Sequence, residues 1–310
     1  MSRSRFSGAL LSVVAMASSL LILAPQSAFA QCSPATPCAD LQDVGTLGGP
    51  NSFPVFKGLS SDGQVVAGNS ETSSGEVHAF RWQGGTITDL GTLGGTSSFA
   101  FAVNSNGTVV VGEASIAGDA ETHAVRWDGT AITDLNTLIA GSFSRARAVN
   151  SDGTVVVGGA VTGSEFHAFR WDGIIPTDLG TLLGGTFSEA VDVNSAGTVV
   201  VGYSGTAGGP DEHAVRWDGI LITDLGTLGG SESEAVAVNS SGTVVVGNAD
   251  TLGDAERHAV RWDGVSITDL GTLGGTGSFA LDVNDDGTVV VGAAFTSGDA
   301  ELHAVCWEGS

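Results

Sequence analysis

Six histidines, His78, His123, His167, His213, His258 and His303, are the residues of this sequence best suited to proton transfer or metal ligation, and they recur at intervals of 45, 44, 46, 45 and 45 residues. An acid stands two positions before each: Glu76, Glu121, Glu165, Asp211, Glu256 and Glu301. On a strand, residues i and i+2 share a face, so each carboxylate can contact its imidazole. Such a pair could exchange protons or hold a cation. Its recurrence argues otherwise, because one active site needs one arrangement, whereas a group present in every copy holds each copy together. The histidines are therefore assigned to a structural network, together with the tryptophans four residues later, Trp82, Trp127, Trp171, Trp217, Trp262 and Trp307. No catalytic residue is assigned. An imidazole donating to its carboxylate should have a raised pKa.

Other side chains break or complete the pattern. Arg81, Arg126, Arg170, Arg216 and Arg261 precede the first five tryptophans, each eight residues before the aspartate of a Thr-Asp-Leu triplet, except that the second and third copies vary the flanking residues. An ion pair between arginine and aspartate requires an odd-numbered hairpin loop, and two solvated charges are the alternative. In the sixth copy Cys306 replaces the arginine. A disulfide from Cys306 to Cys38 or Cys32 is expected, stabilising by roughly 5 kcal/mol in the chain-entropy model. The rival is a small Cys32–Cys38 loop with Cys306 free. Asp282, Asn284 and Asp286 open like a calcium loop, but Ala293 occupies the position of the closing glutamate. The aligned segments form the same turn without the acids, so these residues are read as a hairpin turn, and no metal or cofactor is assigned. Lys57, Arg145, Arg147 and Tyr203 depart from their aligned neighbours and are the candidate ligand contacts. Ordinary drift between repeats would also produce them. No nucleophile elbow, phosphate loop, metalloprotease motif or paired-cysteine zinc motif occurs.

The elements that must position these groups are short strands. From Phe99 to Asn104 apolar and polar residues alternate, and Asn106-Gly107 signals a two-residue hairpin. Val109-Val110-Val111 is a β-branched run suited to burial on both faces. His123 to Trp127 and Ile132 to Leu138 supply the third and fourth strands, separated by Asp128-Gly129. Tight turns make the neighbours antiparallel, so the unit is a four-stranded meander. A lone meander cannot cover both faces, and about 45 residues with four strands per unit is the size of a propeller blade. The expected fold is all-β, a six-bladed β-propeller with blades at about 52–93, 97–138, 143–182, 187–228, 232–273, and 278–310 joined by 39–47. The last assignment follows from the sixth copy, which ends before its fourth strand, while Asp40 to Gly49 matches the fourth-strand segment of the other copies. Closure of the ring by that N-terminal strand is the expectation.

The blocks His-Ala-Phe (His78-Ala79-Phe80 and His167-Ala168-Phe169), Thr-Asp-Leu-Gly-Thr-Leu-Gly-Gly and Val-Asn-x-x-Gly-Thr-Val-Val-Val-Gly resemble the bacterial extracellular HAF-repeat family over residues 40 to 308. The resemblance implies an exported bacterial protein. It carries over no catalytic residues.

Export is also expected from the N-terminus itself. Arg3 and Arg5 precede the apolar run Gly8 to Ala24, and Ala28-Phe29-Ala30 is a small-x-small cleavage site, so residues 1–30 read as a signal peptide and 31–310 as one propeller domain. The mature chain keeps all 34 acids and carries a net charge of about −25. That charge excludes nucleic acid and anionic membranes as partners. No later segment is long and apolar enough to span a membrane. A secreted monomer is expected, acting outside the cell, in the periplasm or on the cell surface as a non-catalytic binding or scaffold module for a protein or glycan. An extracellular polysaccharide-active hydrolase or lyase on the same scaffold is the alternative, and clustering of ionisable groups in one part of the ring would favour it.

Overall fold

The computed structural model describes residues 42–135 and 141–309. The signal-peptide segment, Cys32, Cys38 and residues 39–41 lie outside the described residues, and the elements below belong to the unit Val44–Ser310. They form six successive antiparallel meanders. The first comprises β1 (Gly48–Leu59), β2 (Val65–Thr72), β3 (Val77–Gln83) and β4 (Thr86–Asp89), and the second β5 (Gly94–Val103), β6 (Val109–Ile116), β7 (Thr122–Asp128) and β8 (Ala131–Asp134). The third contains β9 (Ser144–Val149), β10 (Val156–Thr162), β11 (Glu165–Trp171) and β12 (Thr177–Gly180). The fourth contains β13 (Ser188–Val193), β14 (Val199–Gly205), β15 (Glu212–Asp218) and β16 (Leu221–Asp224). In the fifth are β17 (Gly229–Val238), β18 (Val244–Thr251), β19 (Arg257–Asp263) and β20 (Ser266–Asp269), and in the sixth β21 (Gly274–Val283), β22 (Val289–Thr296) and β23 (Leu302–Glu308). Among the described residues no helix is long and apolar enough to cross a membrane.

The Val-Val-Val-Gly block is explained by the register of the first two strands. Ala100 pairs with Gly112 and Ala102 with Val111, leaving Phe101 as a bulge. The bulge brings the Phe99 carbonyl oxygen to within 1.9 Å of where a Cβ on Gly112 would sit, so only glycine fits there. The same approach recurs at Gly158, Gly202, Gly247 and Gly292. The turn between these strands is longer than the two-residue hairpin expected at Asn106-Gly107. Gly107 N–H donates to the Asn104 carbonyl (2.9 Å), and the Asn104 side-chain oxygen accepts from Val109 N–H (2.9 Å), so the asparagine side chain replaces one rung of the ladder.

Consecutive meanders join through three repeated contacts. The alanine after each histidine donates its N–H to a serine on the next first strand, as from Ala124 to Ser144 Oγ at 2.8 Å and from Ala214 to Ser233 Oγ at 2.9 Å. The arginine before each tryptophan donates to the turn carbonyl of the next meander, as from Arg81 to Gly107 at 2.8 Å. Three junctions also bury a tryptophan in the same apolar cluster as the leucine that follows the fourth-strand aspartate of the preceding copy, Trp127 with Leu90, Trp217 with Leu179 and Trp262 with Leu225, while Trp171 and Trp307 are partly buried. Full burial of one such aromatic side chain stabilises by about 3 kcal/mol.

First strands of neighbouring meanders touch one another. The row also curves. Lys57 on β1 meets Asp192 on β13 at 2.5 Å, although packed sheets stand about 10 Å apart and a straight row would separate first from fourth by about 30 Å. The sixth meander keeps one face uncovered: Val291 is 44% exposed, whereas its counterparts Val111 and Val246 are fully buried.

Candidate ligand-binding site

The histidine network forms, with a partner that the sequence reading did not identify. His123 Nδ1 lies 2.8 Å from Asp134 and its Nε2 lies 3.1 Å from Glu121. His167 and His258 repeat both contacts, to Asp178 and Glu165 and to Asp269 and Glu256. His78 and His213 keep the aspartate contact at 2.9 Å, to Asp89 and Asp224, and Glu76 turns instead to Ser74 Oγ. His303 keeps Glu301 at 3.0 Å. The fourth-strand aspartate also accepts the N–H of the following glycine in several copies, as Asp224 does from Gly226. Burial pulls the His123 pKa down, but hydrogen bonds to Asp134 and Glu121 outweigh it and leave the imidazole above its usual range.

That aspartate is the one expected to pair with arginine. The structure corrects the pairing: Gln83 faces Thr86 across a two-residue loop, so Arg81 opposes Thr88 and Asp89 opposes Phe80. With the even-numbered loop, the aspartate side chain meets histidine. Arg126, Arg170, Arg216 and Arg261 instead pair with the aspartate after tryptophan, as Arg126 with Asp128 at 3.2 Å and Arg261 with Asp263 at 2.8 Å, and Arg81 donates to Gln83 at that position. Cys306 is exposed on β23, and its expected disulfide partners lie outside the described residues. Asp282, Asn284 and Asp286 do not converge. Asn284 and Asp286 hold their own turn through Val289 N–H and Thr288, while Asp282 sits at the end of β21 and accepts from Val283 N–H. Among the described residues no group of three or more His, Cys, Asp or Glu side chains could hold a metal ion.

The four candidate ligand contacts behave differently, because three of them meet on one buried carboxylate. Glu189 on β13 is fully buried. Arg145 grips it with two parallel bonds, Nε to Oε1 at 2.6 Å and Nη2 to Oε2 at 2.7 Å. Tyr203 Oη donates to Oε2 at 2.8 Å, and Arg147 Nε stands 3.6 Å from Oε1. Burial first, and the Glu189 anion second, push the Tyr203 phenol well above its ordinary range, so it serves as a donor and not as a base. Aromatic rings support the arginines. Arg145 lies 5.9 Å from the centroid of Phe143 and 5.8 Å from that of Phe166, and Arg147 lies 5.7 Å from that of Phe101. Phe166, Phe187 and Tyr203 continue as a stack with spacings of 5.3 and 5.7 Å. The fourth candidate, Lys57, reaches the same strand three residues on, at Asp192, in an ionic contact whose angle is outside that of a hydrogen bond.

Glu113 on β6 completes this region. Its Oε2 is buried without a hydrogen-bond partner. Burial raises its pKa, Arg145 and Arg147 oppose the shift, and Glu189 adds to it. Glu189, Glu113 and Asp192 went unnoticed in the sequence. One signal was available: Arg145 and Glu189 occupy the same repeat position in adjacent copies, 44 residues apart, with opposite charge. A second ionic group surrounds Arg257, which lies 3.1 Å from Asp250, 3.4 Å from Glu234 and 3.5 Å from Glu232. In the third meander Pro176 stands where other copies carry isoleucine, and a cavity of about 230 Å³ lies beside it, lined also by His167, Phe169 and Asp178.

No model of a known protein family matches the chain, and no curated protein matches it. Solved structures do. The β-propeller domain of the Trilobed protease from Pyrococcus furiosus, described as having an open velcro topology, is 12% identical with a TM-score of 0.56, covering 84% of this chain and 82% of that one. An oligogalacturonate lyase in complex with manganese is 13% identical with a TM-score of 0.53, covering 81% and 76%. TolB from Acinetobacter baumannii is 15% identical with a TM-score of 0.46 over 67% of this chain, which spans about half the length of that protein. At these identities the likeness establishes the fold, a β-propeller of antiparallel sheets.

Proposed function

We propose that this chain is an exported, non-catalytic binding module of the HAF-repeat type, and that it holds a glycan or protein at the Arg145–Arg147–Glu189 site. The observation that carries the reading is the contrast within one molecule. The groups most suggestive of chemistry, histidine with acids, recur as structural clamps, whereas two guanidinium groups, a buried carboxylate and a row of aromatic rings meet on the first strands of the third and fourth meanders and their neighbours. A glycan array probed with the mature chain, followed by Arg147→Gln on whatever binds, tests it. Binding that the substitution weakens is expected, and an array and pull-down without any specific ligand would refute it.

The gathering of ionisable groups in one place also favours the second reading, a polysaccharide-active enzyme. Glu113, a buried carboxyl with a raised pKa near two guanidinium groups, would then be the proton donor. Release of reducing ends or unsaturated products from an acidic polysaccharide, lost in Glu113→Gln, would replace the first reading with this one.

The proposed scaffold is a six-bladed ring closed by Asp40–Leu47 as the fourth strand of the sixth meander, fastened by Cys306 to Cys38 or Cys32. Support comes from Ser52 Oγ, which donates to the Gly45 carbonyl at 2.8 Å just as Ser233 and Ser278 donate to Gly226 and Gly271 at 2.7 Å. Peptide mapping without reduction reads the disulfide directly, and a Cys32–Cys38 peptide would remove the fastening.

A further inference from the structure

The Arg145–Arg147 region sits in a protein of formal net charge −23, yet it leaves cationic donors unspent. Arg145 gives Nε and Nη2 to Glu189, and among the described residues its Nη1 donates no hydrogen bond. Arg147 reaches Glu189 only through Nε at 3.6 Å, and among the described residues neither of its Nη atoms donates a hydrogen bond. Both side chains are about one third exposed, at 32% and 35%, while Glu189 beneath them is closed to solvent. A carboxylate at the base and aromatic rings on the flanks therefore fix two guanidinium groups in place, with their remaining N–H groups outward.

Donor geometry selects the ligand. Glu189 takes the fork of Arg145 and Asp192 takes Lys57, so among the described residues the Nη face of Arg147 is a planar donor that no carboxylate grips. A planar carboxylate can accept two parallel bonds from it. A phosphate dianion would bring a second negative charge toward Glu189, Asp192 and Glu113.

Resting on the binding-module reading, we propose that Arg147, oriented by Glu189 and Phe101 and assisted by Arg145, receives the carboxylate of a hexuronate unit in an acidic glycan. The sugar ring then lies beside Phe101, Phe143 and Phe166, which flank the two arginines.

Calorimetric titration of the mature chain with a galacturonic acid trisaccharide, the neutral galactose trisaccharide and inorganic sulfate tests this. The uronate is expected to bind at least about tenfold more tightly than either other probe, the equivalent of one charge-assisted contact. Arg147→Gln should weaken uronate binding by about tenfold or more with an unchanged melting curve, and Arg147→Lys, which keeps the charge but loses the fork, should also weaken it. Uronate binding that is absent, equalled by sulfate or by the neutral sugar, or untouched by both substitutions overturns the proposal. If the array or pull-down returns a ligand without a uronate, and Arg147→Gln weakens its binding, this inference falls and the binding-module reading stands. An array and pull-down with no ligand remove both.

Discussion

The His-Asp-Glu clamps and the Arg145–Glu189 cluster use the same currency, ionic hydrogen bonds between neighbouring strands, to opposite ends. In the first five meanders the clamp joins the third strand to the aspartate of the same meander's fourth strand, as His123 does to Asp134. The Arg145–Glu189 bonds join β9 to β13 in adjacent meanders and leave N–H groups unspent. The first contact recurs from copy to copy, whereas among the described residues the second is made at one junction.

Three experiments put pressure on that contrast. The largest effect should come from the repeated part. Trp217 is fully buried and its indole N–H donates to the Leu179 carbonyl at 2.9 Å, so Trp217→Ala should lower unfolding free energy by about 3–5 kcal/mol in denaturant titration. A loss below about 1 kcal/mol would mean that the junctions do not hold the row together.

Glu189→Gln comes next. Removing one partner of a buried ion pair costs about 3–5 kcal/mol, and because Arg145 keeps a third of its side chain in solvent the expected loss is about 2 kcal/mol. Histidine NMR signals should stay in place, since the clamps lie on other strands. Their movement would show the two regions to be one network.

The smallest effect belongs to a single clamp. His123→Gln should cost about 1 kcal/mol, the worth of a hydrogen bond to a charged partner that water partly replaces. The sign with pH follows from the raised folded-state pKa of His123. Stabilisation is complete below the unfolded value of about 6.5 and disappears as pH rises through the folded value, so wild type and variant should converge toward alkaline pH. A difference that grows with pH would contradict the clamp.

Much of this was legible in the sequence. Spacing gave the repeat, and alternation and β-branched runs gave the strands. Three of the four residues picked for deviating from the repeat, Arg145, Arg147 and Tyr203, meet on Glu189, and Lys57 reaches β13 as well. The partners were not legible. Whether Asp89 meets Arg81 or His78 depends on a hairpin loop of two residues in place of three, which alters the side chains that face each other.

Local physics, periodicity and turn chemistry belong to the sequence because they act between residues a few positions apart, and 45-residue copies repeat them faithfully. Tertiary structure decided what lies beyond that range: that Arg145 bonds to Glu189 across 44 residues, that Lys57 spans from the first meander to the fourth, and that Phe99 leaves no room for a side chain at Gly112. Those contacts exist only once the sheets pack, since the curvature of the row and the bulge in each first strand set the distances.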